Sequence, residues 1–186
     1  MSREMTIKLG VLAEKRRAKS RWVKEIWLPV GVMPASDGFS IGHEIMRDED
    51  RTRYFMGVHE LNFHATETEA YVHNFNATVP ALFVALRRTT SPDHPLPWFV
   101  HVVTASPYLA QDLDDSGEDI VERVAMPPEI ESVLKDFCNR HHTEEVFKKR
   151  RRDKVDVEEQ LFGKEPIFER PGSSVSSEGG EGQSNG

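Results

Sequence analysis

Residues 103–152 read VTASPYLAQDLDDSGEDIVERVAMPPEIESVLKDFCNRHHTEEVFKKRRR. The stretch decides the fold because it holds a strand end, a capped helical turn, an acidic loop, a second helix and a basic run with almost no filler. Ser106 followed by Pro107 reads as a helix N-cap and first residue. The serine oxygen accepts an otherwise unmet amide, and proline has no amide to leave unmet. The spacing predicts a short helix over residues 108–113. Asp112, Asp114, Asp115, Glu118, Asp119 and Glu122 follow with no basic residue among them, which reads as a solvated acidic loop. A calcium loop needs oxygen ligands at fixed steps. Gly117 is present, but the EF-hand spacing is not.

Pro127 and Pro128 open the second helix. Ile130, Val133, Leu134, Phe137, Cys138 and His141 fall at i, i+3, i+4, i+7, i+8 and i+11, one continuous apolar stripe. This helix is expected to lie through that stripe on a sheet or a barrel mouth. Cys138 sits within the stripe, where a free cysteine behaves as a small hydrophobe. With His141 and His142 it makes a thin ligand set with no second cluster, so no metal is expected there.

Upstream the pattern is β. Residues 7–11 alternate, and 26–32 form a second strand in which Pro29 marks an edge or a bulge. Residues 14–24 read as a basic connector carrying Lys15, Arg16, Arg17, Lys19, Arg21 and Lys24. Residues 34–42 read as loop. Residues 53–65 are one strand bent at Gly57, or two. Residues 69–75 read as a strand returning across the short turn ATET to form a hairpin. Residues 79–88, 98–105 and 119–124 complete about seven strands. No βαβ alternation appears. The expected fold is therefore α+β: a mainly antiparallel barrel or bent sheet, closed by a C-terminal amphipathic helix. That order of elements is the order of pleckstrin-homology-like domains.

The composition bounds the function. The chain has 186 residues, 30% of them charged, and a net charge of −7. One domain over residues 1–152 can bury a core of its own. Residues 153–186 are expected to be a disordered tail, rich in Gly, Ser, Glu and Pro from residue 163 onward. The acidic balance argues against general nucleic-acid binding. One cysteine excludes an internal disulfide framework. No apolar run approaches the ~18 residues of a membrane span. The N-terminus lacks the order of a signal peptide, and the cytoplasm is the expected compartment. The sequence does not specify the oligomeric state.

Two stretches are candidate sites. In the proposed hairpin, His64 would face Glu69, Glu60 would face His73, and Asn62 would face Tyr71. Glu60, His64, Glu69, Tyr71 and His73 would then share a polar face. His64 and His73 would lie about 13 Å apart at ~3.4 Å per residue, too far to share a metal ion. The second candidate is Phe147, Lys148, Lys149, Arg150, Arg151 and Arg152, a basic run beside an apolar foothold that suits an acidic partner. No catalytic residue and no cofactor are expected: GxSxG, Walker and GxGxxG motifs are absent.

Several motifs together carry a resemblance. They are TASPYLAQDLDDSGEDIVERVAMPPEI and HHTEEVFKKRRR, Trp22 with Trp27, TETEAY at residues 66–71, and the strand ending in Arg87 and Arg88. The chain is similar over roughly residues 7–152 to a bacterial family known as a domain of unknown function. Members tend to be encoded near formate dehydrogenase and molybdenum-cofactor genes. Some carry the label molybdopterin-guanine dinucleotide biosynthesis protein A. The resemblance implies a non-enzymatic accessory or binding protein with a protein partner, a subunit of a molybdenum enzyme such as formate dehydrogenase, which it would help to assemble or load with cofactor. The alternatives are an enzyme of molybdopterin-guanine dinucleotide synthesis and a regulatory module unrelated to molybdenum. Guanylyltransferases with that label open on a strand and a glycine-rich LxGGxSxRMG loop. Here no glycine occurs between Gly10 and Gly31, so backbone amides cannot close around a phosphate.

Overall fold

A computed structural model describes residues 3–142. The basic run at residues 147–152 and the tail expected from residue 153 lie outside the described residues. Among the described residues no helix is long and apolar enough to cross a membrane.

The first strand, β1 (Glu4–Arg17), is longer than the alternating residues 7–11 suggested. Its partners are β2 (Glu25–Pro34) and β4 (Arg51–His64), and β3 (Glu44–Arg47) adds to the far side of β4. Their order is β2-β1-β4-β3, with all pairs antiparallel. A second antiparallel sheet orders β6-β5-β7 from β5 (Ala81–Arg88), β6 (Trp98–Thr104) and β7 (Asp119–Ala125). The fold is α+β, and the described residues hold seven strands in two bent sheets, not a closed barrel.

Three expectations change. Residues 14–17 are strand and not connector, because each charged residue there has a cross-strand partner: Glu14 opposite Leu28 and Arg53, Lys15 opposite Trp27, Arg16 opposite Arg51. Residues 44–47 form a short strand where no strand was expected. The proposed hairpin of residues 59–65 with 69–75 does not exist. The full length of β4 runs along β1, ending with His64 opposite Glu4. The chain then turns through a 3-10 segment, Ala65–Glu67, into a helix, α1 (Thr68–Phe75). Residues 69–75 also carry a helical pattern: Thr68, Ala70, Tyr71 and Asn74 are its buried positions, a spacing of three to four that places them on one side. Asn74 fixes the helix end. Its amide donates to the carbonyls of Ala81 (2.7 Å) and Ala105 (2.8 Å) and accepts from the Ala81 amide (3.1 Å).

Other readings hold. Residues 51–64 are one strand kinked at Gly57, whose φ of +106° lies where glycine is favoured. Pro29 lies in edge strand β2, beside the register shift between Leu12 and Ala13. Helix α2 (Pro107–Ser116) is capped by the Ser106 hydroxyl, which accepts from the Leu109 amide, and stops at left-handed Gly117. It is longer than expected and takes up Asp112, Asp114 and Asp115. Helix α3 (Pro128–His141) buries Ile130, Leu134, Phe137 and Cys138. Those side chains join Leu9, Val11, Leu61, Phe63, Leu82, Val84 and Leu86 in one core.

Candidate docking surface

The proposed polar face is dispersed. Tyr71 is fully buried in the core. Its hydroxyl donates to Glu67 (2.6 Å) and accepts from the His64 amide (3.2 Å). Burial and the Glu67 bond push its ionisation far above the ordinary tyrosine value. Glu60 is exposed on β4 opposite Lys8, and His64 lies 3.5 Å from Glu4. His73 is exposed on α1 with its ring against Tyr108. Glu69 borders a shallow notch of about 260 Å³ with Glu67, Ser106, Tyr108 and Asp112. Among the described residues no three His, Cys, Asp or Glu side chains gather to hold a metal ion. In the Cys138–His142 set, burial pushes the thiol up to about 11, and the His141 ring lies on Phe137. His142 meets the Thr68 hydroxyl at 3.2 Å.

His101 meets the buried Asp119, 3.0 Å from Nδ1 to Oδ2. Asp119 is also held by both arms of Arg87, at 2.8 and 2.9 Å. Burial alone would raise the Asp119 carboxyl. The bonds from Arg87 and His101 outweigh it and hold the carboxyl below the ordinary range. The cluster ties β6, β5 and β7 together across one face.

The strongest binding feature is the connection between β1 and β2. Its base is closed by backbone bonds from Arg17 to Asp50 and from Ala18 to Lys24. Beneath it Trp27 stacks on Tyr54, and Lys15 lies over the Tyr54 ring while pairing with Glu25. Beyond this base Trp22 is 94% exposed and Val23 is exposed, and on β2 below it Ile26 is exposed as well. Arg17, Lys19, Arg21 and Lys24 make no ion pair among the described residues. This connection puts two of the side chains most enriched at binding hot spots, Trp and Arg, on one exposed stretch. Sequence reasoning noted the cations and Trp22 separately and made neither a site. Their interleaving within residues 15–24 was the available signal.

On the strand side of this tip, Glu14 is buried, 1% exposed, among three arginines. Arg16 Nη2 lies 3.2 Å from its Oε2, while Arg53 Nη2 and Arg51 Nη1 lie 3.5 and 3.8 Å from its Oε1.

Residues 8–151 match a family described as protein of unknown function (DUF3305). The chain belongs to the DUF3305 family. No curated protein and no solved structure matches it. In this DUF3305 chain, the β1–β2 connection and the Glu14 cluster both fall within the matched residues.

Proposed function

We propose that this DUF3305 protein is a non-enzymatic accessory protein that holds an acidic protein partner through the β1–β2 tip. The observation that carries the reading is the tip itself: Trp22 is 94% exposed in a stretch with Arg17, Lys19, Arg21 and Lys24, none of which forms an ion pair among the described residues. Such a patch on a chain of net charge −7 orients the molecule and steers encounter with an acidic surface. The partner we propose is a subunit of a molybdenum enzyme such as formate dehydrogenase, during assembly or cofactor loading. Support for that choice is the gene neighbourhood that the resemblance implies. The basic run at residues 148–152 is proposed as a second contact.

The test is co-purification from the native host, with maturation of the dehydrogenase as the paired readout. Wild type is expected to bring down a dehydrogenase subunit. Trp22→Ala, or Lys19, Arg21 and Lys24 changed together to Glu, is expected to lose both signals with an unchanged melting temperature. Reversing Arg150, Arg151 and Arg152 tests the second contact separately. Nucleotide turnover by the purified chain, or full maturation without the tip, would reject the reading.

A further inference from the structure

The three arginines around Glu14 form a cluster short of acceptors. Arg16 and Arg51 are directly opposite on β1 and β4, and Glu14 is opposite Arg53. Like charges placed across a strand pair repel. The sheet tolerates them because Glu14 lies buried beneath and Asp48 holds Arg51 Nε at 2.8 Å. Three guanidinium groups offer about 15 N–H donors. Within the cluster they make only three hydrogen bonds: Arg16 and Arg53 to Glu14, and Arg51 to Asp48. Among the described residues, Arg53 Nε is buried and has no hydrogen-bond partner. The outer ends of the same side chains are open: Arg16, Arg51 and Arg53 are 46, 48 and 32% exposed.

We infer that Arg16, Arg51 and Arg53 are an oxyanion cradle, with Glu14 as the positioning residue beneath, and that its ligand is a carboxylate of an acidic protein segment. The inference rests on the docking reading above and names the group docked. A planar guanidinium donates two parallel bonds to one carboxylate, and Arg16 and Arg53 held by Glu14, with Arg51 held by Asp48, are set before the ligand arrives. The cradle borders the tip, since Arg16 lies directly opposite the exposed Ile26 on β2. Ile26, Val23 and Trp22 thus extend the cradle with apolar surface. A segment bearing both carboxylates and apolar side chains matches both parts. A free inorganic anion uses only the first.

The test uses the full-length chain, with NMR of the arginine Nε–Hε groups. Three probes are compared: a peptide alternating glutamate with leucine, a single-stranded dT oligonucleotide, and inorganic phosphate. The peptide is expected to shift the Arg16, Arg51 and Arg53 signals saturably at about 150 mM salt, where long-range attraction is screened. Arg51→Lys and Arg53→Lys keep the charge and lose the fork. Each is expected to weaken the peptide about tenfold, whereas Arg140→Lys, the same change on an exposed position of α3, leaves it unchanged. Circular dichroism confirms that the variants fold. If the lysine variants bind like wild type, or if the oligonucleotide or phosphate binds more tightly than the peptide, the assignment is overturned. A chain that holds the dehydrogenase subunit through Trp22 while the lysine variants have no effect overturns the cradle alone. A chain whose cradle binds the peptide but which never retains that subunit overturns the partner alone.

Discussion

Phe137→Ala tests how the last helix is held. Phe137 is 1% exposed, and its ring lies 5.9 Å from Phe63 and 4.6 Å from His141. Phe63 and Leu134 are equally enclosed, so little nearby can move in to fill the space. Truncation at such a site costs about 3–5 kcal/mol, the transfer of the ring plus the cavity it leaves. Unfolding entropy near 2.1 cal/mol/K per residue over about 140 folded residues gives ~0.29 kcal/mol/K. The melting temperature should therefore fall by about 10–17 °C. Urea unfolding followed by circular dichroism is the assay. The midpoint is expected to fall with an unchanged slope, since the same surface is exposed on unfolding. Phe137→Leu, which keeps most of the volume, should recover most of the loss. A cost below about 1 kcal/mol for the alanine variant would refute the packing of this stripe against the sheet core.

Other outcomes follow from the same structure. Asp119 has a depressed carboxyl, so its contribution is present above the unfolded value of about 3.9 and is lost as pH falls through the lower folded value. Asp119→Asn should be less stable at neutral pH, and should show a flatter fall than wild type when urea stability is measured from about pH 5 downward. The Cys138 thiol, pushed up to about 11 by burial, should resist a thiol reagent in the folded chain near pH 8 and react fully in urea. Gly57→Ala should cost about 1–3 kcal/mol in the same unfolding assay. Its backbone sits at φ +106°, and a Cβ would come within 3.1 Å of Ile41.

The fold was legible where a local signal and a tertiary need agreed. The Ser106–Pro107 cap, the Gly117 stop and the stripe from Ile130 to Cys138 each state their structure within a few residues. Residues 69–75 do not. The alternation of Ala70, Val72 and Asn74 against Tyr71 and His73 suits a strand, while Thr68, Tyr71 and Asn74 suit a helix. The choice is made far away: β1 extends through Glu14–Arg17 and pairs with β4 along its full length. That extension was itself hidden, because charged residues resemble a loop until Glu14 is seen beneath three arginines contributed by two strands. The polar face failed for the same reason, since it needed a hairpin whose second strand is a helix. Tyr71 shows the consequence: a residue assigned to a solvated surface is among the most enclosed side chains in the core. Trp22 was visible as an aromatic in a basic stretch, but only the fold places it beyond the last cross-strand pair of β1 and β2.

The central claim is that the β1–β2 tip docks an acidic partner, and the salt dependence of one binding constant tests it most directly. The purified chain is immobilised, and its affinity for the formate dehydrogenase subunit of its native host is measured across a salt series. The comparison is a variant with Arg17, Lys19, Arg21 and Lys24 all changed to Glu. The account predicts that wild-type affinity falls steeply with salt and that the variant, folded and equally stable, binds at least about tenfold more weakly at low salt with most of that slope gone. Equal affinities with equal salt dependence in the two proteins would contradict it.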